Sequence, residues 1–581
     1  LTIALLSTGR YPQDSIIFDV GHQSYAWKIL TDRRESFSSI RLKGGLSGFP
    51  KRQESVYDSF NTGHSSTSIS AALGLARAKR TKGNLSKTMA LIGDGSLGGG
   101  MAFEALSDAG QSDENLLVIL NDNQMCIDEA VGGIARHLES LRTSLCYIRF
   151  KTIWEARLSR IPLIGKPLIG MIARSKRRWR SWRRESGILF EQIGFRYYGP
   201  VDGHNIEDLE RHLRALRLIR GPVLLHVVTV KGRGYCPAED QPESFHGVSP
   251  FDTAEGHQSA KAGDGRTFSQ VLGESLTGMA AEDSSIVAVT AAMAQGSGLI
   301  PFSLAYPDRF FDVGIAEQHA LTMAAGMAAG GLRPYVTFYS TFLQRAIDQL
   351  IHDICLQKLP VVILVDRAGL VGGDGETHQG IYDLSIALSL PHLTVLAPAG
   401  APDLRAALLC ARRLDGPVLI RYPNDLADER DYRTFPEADA LSLSDLKTLR
   451  QVTRGEDLTV VALGPTIREA EEAVALLREE RPEHTIDLYS CISAAPFDYE
   501  TMLESIHKSK NLLLIEDGVV SGGFGANIAV SIGCKVPGLM INYAGVNNPL
   551  AGQASRSELK EEMSLDAIGL KEQMRRILDE R

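Results

Sequence analysis

The stretch Thr88–Met125, TMALIGDGSLGGGMAFEALSDAGQSDENLLVILNDNQM, constrains the chain more than any other. Thr88–Ile92 is a short apolar run ending in glycine, the pattern of a strand buried on both faces. Met101, Ala105 and Leu106 fall on one face of a helix over Met101–Ala109, and Leu116–Leu120 is a second buried-strand run. The pattern predicts a β-α-β unit with a right-handed crossover. Asp94 then stands just past the first strand, and Asn123 just past the second. Neighbouring strands lie about 4.8 Å apart, so one cation would touch both side chains. Gly93 and Gly95 let the backbone approach a phosphate, at the carboxyl edge where open α/β sheets bind ligands. A hard divalent ion with oxygen ligands, holding a diphosphate, suits that edge. Gly-Asp-Gly alone reads as a tight turn. Followed in order by a helix, a strand and Asn-Asp-Asn, it favours the ligand.

At 581 residues the chain exceeds a single core, and two to four domains are expected. Its 62 basic and 70 acidic residues leave a net charge of −8, which gives no general pull towards nucleic acid. Seven scattered cysteines form no CxxC pair, which argues for a reducing cytoplasm and against a disulfide frame or zinc site. No run of 18 apolar residues predicts a membrane span. The sequence opens mid-pattern with LTIALL, and a preceding segment is expected.

Elsewhere the same logic places Ile16–Val20 in a strand, followed by Gly21-His22-Gln23. Gly63-His64-Ser65-Ser66-Thr67-Ser68 precedes a helix over Ile69–Arg80; with the Asp94 unit nearby, its hydroxyls and amides favour a phosphate contact over a simple cap. IPLIGKPLIGMIA and RSKRRWRSWRR, residues 161–184, read first as a solvated insertion and second as a membrane-surface contact. Val223–Val230 is a strand, then Lys231-Gly-Arg-Gly-Tyr235. Ala254–Gly265 reads as a linker.

A second α/β domain has expected strands at Ile286–Thr290, Phe311–Val313, Pro334–Phe338, Pro360–Val365, Leu393–Leu396 and Pro417–Tyr422. Asn424–Gly455 reads as a second linker, and Leu458–Leu463, Thr485–Tyr489 and Asn511–Ile515 as strands of a third domain. Gly522-Gly-Phe-Gly525 is too short to indicate a nucleotide loop.

IGDGS with NDN resembles the thiamine-diphosphate motif. FDVGHQSY, KGGLSGFP, TGHSSTSIS, GPVDGH, KGRGY, FDVGIAEQHA, YSTFLQRA, DRAGLVGGDGETHQG and IRYP together resemble the 1-deoxy-D-xylulose-5-phosphate synthase family. The resemblance is dense up to about Pro423 and thinner beyond. It implies an α/β fold of three domains. A diphosphate-binding domain spans 1–265, with an insertion near 136–189; a pyrimidine-binding domain spans 266–430; a transketolase C-terminal-like domain spans 455–581. It also implies a cytoplasmic homodimer that uses thiamine diphosphate and Mg²⁺. Such an enzyme joins pyruvate, with loss of CO₂, to D-glyceraldehyde 3-phosphate, for isoprenoid, thiamine and pyridoxal synthesis.

Carried over by position, the resemblance makes Asp94, Asn123 and the Met125 carbonyl ligands of Mg²⁺. Gly63, His64, Ser65, Gly95, Ser96 and Tyr235 would line the cofactor, with Phe342 stacked on its pyrimidine. Glu317 would hydrogen-bond N1′ of that ring. His22 and His246 are candidates for proton handling, because imidazole titrates near neutral pH. Tyr339, Asp374 and His378 would border the acceptor aldehyde; Arg367 and Arg421, joined by Arg345 and Tyr339, would hold its phosphate. Three departures stand out. A Gly-His segment usual in the family would lie upstream of Leu1. Asn424-Asp425 replaces Arg-Gly after IRYP, which puts an acid near the phosphate. AAPFD and NNPLAGQ replace family patterns in the third domain. A transketolase and an inactive cofactor-binding paralogue are the alternatives; donor use and turnover separate them.

Overall fold

The computed structural model describes residues 1–123, 133, 138, 188–242, 245–246, 251–253, 265–430, 434–437, 440–533 and 535–580. The Met125 carbonyl, the stretch 161–184 and most of the expected first linker lie outside them. The chain divides into two compact units, Leu1–Ser38 with Gly48–Ser259, and Ser39–Ser47 with Ala260–Arg581.

The first unit has five parallel strands, four of them short apolar runs and the fourth in sequence, RYYGPVD, a half-exposed edge strand. These are β1 (Ser15–Phe18), β2 (Thr88–Gly93), β3 (Leu116–Asp122), β4 (Arg196–Asp202) and β5 (Val223–Val228), in the order β1-β2-β3-β5-β4. Successive residues point to opposite faces. Ile17, Ala90, Ile92, Val118 and Leu120 pack against the helices Ser68–Thr81 and Gly100–Gly110, through Ala72, Leu73, Ala102 and Leu106. Ile16, Met89, Leu91, Leu117 and Ile119 pack on the other side against Leu5, Trp27, Leu209 and Leu213. Both faces are covered, which is why β2 and β3 read as unbroken apolar runs rather than alternating ones.

In the second unit, β6 (Ile286–Thr290), β7 (Phe310–Asp312), β8 (Arg333–Tyr339), β9 (Val362–Asp366), β10 (Thr394–Leu396) and β11 (Val418–Arg421) are parallel. A further sheet holds β12 (Arg450–Thr453), β13 (Leu458–Leu463), β14 (Ile486–Cys491), β16 (Asn511–Val519) and β17 (Met540–Val546), in the order β12-β14-β13-β16-β17. Between β14 and β16, the chain sends β15 (Ser493–Ala495) into the preceding sheet, antiparallel to β10. One continuous core then runs from Val336, Phe338 and Val365 to Val461, Leu463 and Phe524. Asn424–Gly455 is accordingly not a plain linker: it contains the capped helix Leu443–Lys447 and β12, whose half-exposed RQVT lacks the apolar run that marks a central strand.

Candidate active site

The register of β2 against β3 pairs Gly93 with Asn121. Asp94 therefore begins a helical turn, Asp94–Leu97, at the same sheet edge as Asn123. Asp94 is 7% exposed. A Cβ built on Gly93 meets nothing within 4 Å, so open space lies beside the turn. Among the described residues no three His, Cys, Asp or Glu side chains could hold a metal together. A carboxylate and a carboxamide on adjacent strand ends match a hard cation that takes its remaining oxygens from phosphate and water. The residues present fit Mg²⁺ and a diphosphate.

The turn at Gly63-His64-Ser65 is fixed from β1. Asp19, 1% exposed, accepts the amides of Ser66 (2.7 Å) and Ser68 (3.1 Å) and the Ser68 hydroxyl (2.7 Å). The first amide of helix Ser68–Thr81 thus meets a carboxylate of its own chain. The Ser66 hydroxyl donates to the Ser96 carbonyl at 2.8 Å, which ties this turn, with His64 and the buried Ser65, to the Gly95-Ser96 turn.

Gly21, at φ 101°, turns the chain from β1 to His22; a Cβ there would lie 2.3 Å from Pro50. The His22 ring sits 5.0 Å from that of His246, and the Lys231 ammonium is 2.9 Å from His246 Nδ1. Burial, then His22 and Lys231, lower the His246 pKa to about 3. His246 is therefore a neutral imidazole, not the group titrating near neutrality that its residue type predicts. In Lys231→Met the His246 resonance followed by NMR should titrate at higher pH, because the ammonium beside it is gone. Tyr235 packs edge-on against Phe245, ring centroids 5.7 Å apart, and donates to the Thr253 carbonyl at 3.1 Å.

In the second unit, Glu317 opens the helix Glu317–Ala329 and is 2% exposed. Burial raises its pKa, and Arg345, whose guanidinium is 3.5 Å away, offsets only part of that. Arg345 is thus a partner of Glu317, a placement its expected phosphate role did not include. A buried carboxyl with raised proton affinity fits a group that shares a proton with a heterocyclic nitrogen. Phe342 stacks on Tyr339 (5.8 Å) and meets His378 edge-on (5.7 Å). The Arg367 guanidinium lies 3.9 Å above the Tyr339 ring and donates to its hydroxyl at 3.1 Å.

Arg367 takes φ 56°, a strained value for a side chain of this size, at the point where the chain leaves β9. Gly369 and Gly380 then exchange backbone hydrogen bonds of 2.7 and 2.9 Å and close the loop that carries Asp374 and His378. Arg41 pairs with Asp374, and the Gln553 amide donates to the Gly45 carbonyl at 2.6 Å. Arg41 is a residue that motif reading missed; its signal was the KGG run beside it.

Arg421 does not take the place expected of it. It is 1% exposed, with Nε donating to Asp383 at 2.7 Å and Nη1 to Asp517 at 2.6 Å. A guanidinium committed to two buried carboxylates is a structural cation. Asp425 pairs with Arg556, so the acid that replaces a family cation is itself neutralised. The Gly522–Gly525 turn holds the Glu516 carboxylate, which accepts the Phe524 and Gly525 amides at 2.9 Å each. The leading amides of its helix already have an acceptor, and burial raises the Glu516 pKa to about 7.

A family model described as 1-deoxy-D-xylulose-5-phosphate synthase matches residues 1–229. The chain is 45% identical over 528 residues to the protein of that name from Natranaerobius thermophilus, covering 91% of this chain and 82% of the relative. The chain belongs to the 1-deoxy-D-xylulose-5-phosphate synthase family. A second member, from Halothermothrix orenii, is 42% identical over 586 residues, spanning 100% of this chain and 90% of its own. Models of the transketolase pyrimidine-binding and C-terminal domains match residues 264–429 and 447–567. A solved structure titled split gene transketolase, inactive beta4 tetramer, is 28% identical, with a TM-score of 0.49 over 54% of this chain and 99% of that one. The family makes the chain a thiamine-diphosphate-dependent transferase of α/β architecture that works with a divalent metal. Among the described residues no helix is long and apolar enough to cross a membrane.

Proposed function

We propose that the chain condenses pyruvate, with loss of CO₂, with D-glyceraldehyde 3-phosphate to give 1-deoxy-D-xylulose 5-phosphate, as a cytoplasmic homodimer. Its product would supply isoprenoid, thiamine and pyridoxal synthesis. The observation that carries this reading is the β2–β3 register, which brings Asp94 and Asn123 to one edge. Thiamine diphosphate, when bound, supplies the carbanion chemistry. Asp94 and Asn123 hold Mg²⁺, and Gly95, Ser96, Gly63, His64 and Ser65 line the diphosphate, with Tyr235 beside it. Glu317 holds a proton against the pyrimidine N1′, and Phe342 packs on that ring. His22 and the neutral His246 offer hydrogen bonds to the pyruvate carboxylate and carbonyl. Asp374 and His378 border the acceptor aldehyde. Arg367, braced on Tyr339, holds its phosphate.

The direct assay is purified protein with both substrates, Mg²⁺ and thiamine diphosphate, with CO₂ and ketose phosphate as readouts; absence of both products ends this reading. Arg367→Met should raise KM for the aldose phosphate about tenfold to a hundredfold, the loss of one charge-assisted bond of roughly 1.5–3 kcal/mol. KM for pyruvate should stay within about twofold; equal changes in both would remove Arg367 from the phosphate. Sedimentation equilibrium tests the homodimer.

A further inference from the structure

The sequence singles out Asn121-Asp122-Asn123 for its two flanking asparagines, yet the middle residue is the most enclosed. The Asp122 side chain is 0% exposed, and so is that of His226 on β5. His226 Nε2 lies 2.9 Å from Asp122 Oδ2, and the Tyr197 hydroxyl on β4 lies 2.8 Å from His226 Nδ1. A carboxylate only accepts, so Nε2–H donates to Asp122; with the imidazole neutral, Nδ1 is then the acceptor for the Tyr197 hydroxyl. Burial raises the Tyr197 pKa and keeps that donor protonated. Thr229, just past β5, holds the same turn from its other side. Its amide donates to the Asp122 carbonyl at 2.9 Å and its hydroxyl to Asn121 Oδ1 at 2.9 Å.

We propose that Tyr197 and His226 are positioning residues that, through Asp122, fix the turn presenting Asn123 and thereby set the affinity for Mg²⁺ and diphosphate without touching either. The proposal rests on Asn123 as a metal ligand. Asp122 is buried where an unpartnered carboxylate is costly, and the row of three groups reaches from the metal edge to β4, the edge strand. Two strands neighbouring each other would suffice to shape a sheet. A hydrogen-bonded row across β3, β5 and β4 that ends one residue before a ligand instead fixes the orientation of that ligand. Phe190 stacks on Tyr197 with ring planes 3° apart, which sets the phenol from outside the row. Gly199 closes it: a Cβ there would lie 2.5 Å from the His226 carbonyl.

The test is calorimetric titration of Mg²⁺ into the full chain at fixed thiamine diphosphate, for wild type, Tyr197→Phe, His226→Gln and the double variant. The thermal midpoint of each metal-free protein is measured alongside. His226→Gln should weaken Mg²⁺ binding about tenfold to a hundredfold, in line with losses on removing groups that support a ligand. Tyr197→Phe should weaken it about threefold to tenfold, and added to His226→Gln should cost nothing further, because the row is already broken. Saturating Mg²⁺ should restore cofactor binding in all three. Affinity within twofold of wild type in Tyr197→Phe overturns the proposal, and that variant keeps its ring stack if His226→Gln fails to fold. Additive losses, or loss of thermal midpoint without loss of affinity, overturn it as well. Failure of wild type itself to bind Mg²⁺ with thiamine diphosphate overturns the metal-site reading beneath it.

Discussion

Glu317→Gln is expected to lower turnover by about 10³-fold while thiamine-diphosphate affinity stays within about tenfold, a loss in the range of a removed general acid or base. Gln has the shape of Glu and keeps a hydrogen bond, so binding survives. It cannot take or return a proton. The native carboxyl is 2% exposed, and burial favours its protonated form. In such a pocket a proton shared with a ring nitrogen is worth far more than in water. Arg345 opposes this rise, so Arg345→Met should move the alkaline limb of the turnover profile to higher pH, as the carboxyl pKa climbs further without its cation. Single-turnover CO₂ release and calorimetry separate the two effects. Unchanged turnover in Glu317→Gln removes this residue from the chemistry.

What could be read from residues alone follows from which forces act locally. Buried parallel strands announce themselves because nearly every position is apolar; β6 and β13 have the bounds expected for them. The strands that escaped notice sit at sheet edges. Met540–Val546 is half exposed, and Ser493–Ala495 is three residues whose pairing belongs to another sheet. The Gly-Asp-Gly and Asn-Asp-Asn turns were legible because glycines and strand ends are set by neighbours in sequence. The fate of each arginine was not. Arg345, Arg367 and Arg421 carry the same group, but their partners Glu317, Tyr339, Asp383 and Asp517 are distant in sequence. His246 likewise has an ordinary residue type and a pKa set first by burial, then by His22 and Lys231.

Residues of the third domain brace the loop that carries Asp374 and His378. A Cβ on Gly369 would lie 2.3 Å from Asp517, and one on Gly375 would lie 3.1 Å from the Gln553 amide. Arg421 joins Asp517 to Asp383, and burial, which works against the Asp517 carboxylate, is outweighed by Arg421, Arg556 and Lys560. Arg421→Ala should therefore cost about 3–5 kcal/mol, the loss on stranding buried carboxylates. The unfolding midpoint should fall by roughly 6–10 °C, taking about 2 °C per kcal/mol, the low end for large domains. Such a variant would also loosen the loop above Asp517, so kinetics on it alone would not separate a structural cation from a phosphate ligand. Arg421→Met with Asp383→Asn and Asp517→Asn does separate them. With all three charges gone, stability should return to within about 2 kcal/mol of wild type, because a buried ion group replaced as a whole by neutral side chains costs little. KM for the aldose phosphate should then lie within about threefold of wild type. A stable triple variant with that KM raised a hundredfold would return Arg421 to the phosphate and make its two carboxylates a resting place rather than its purpose.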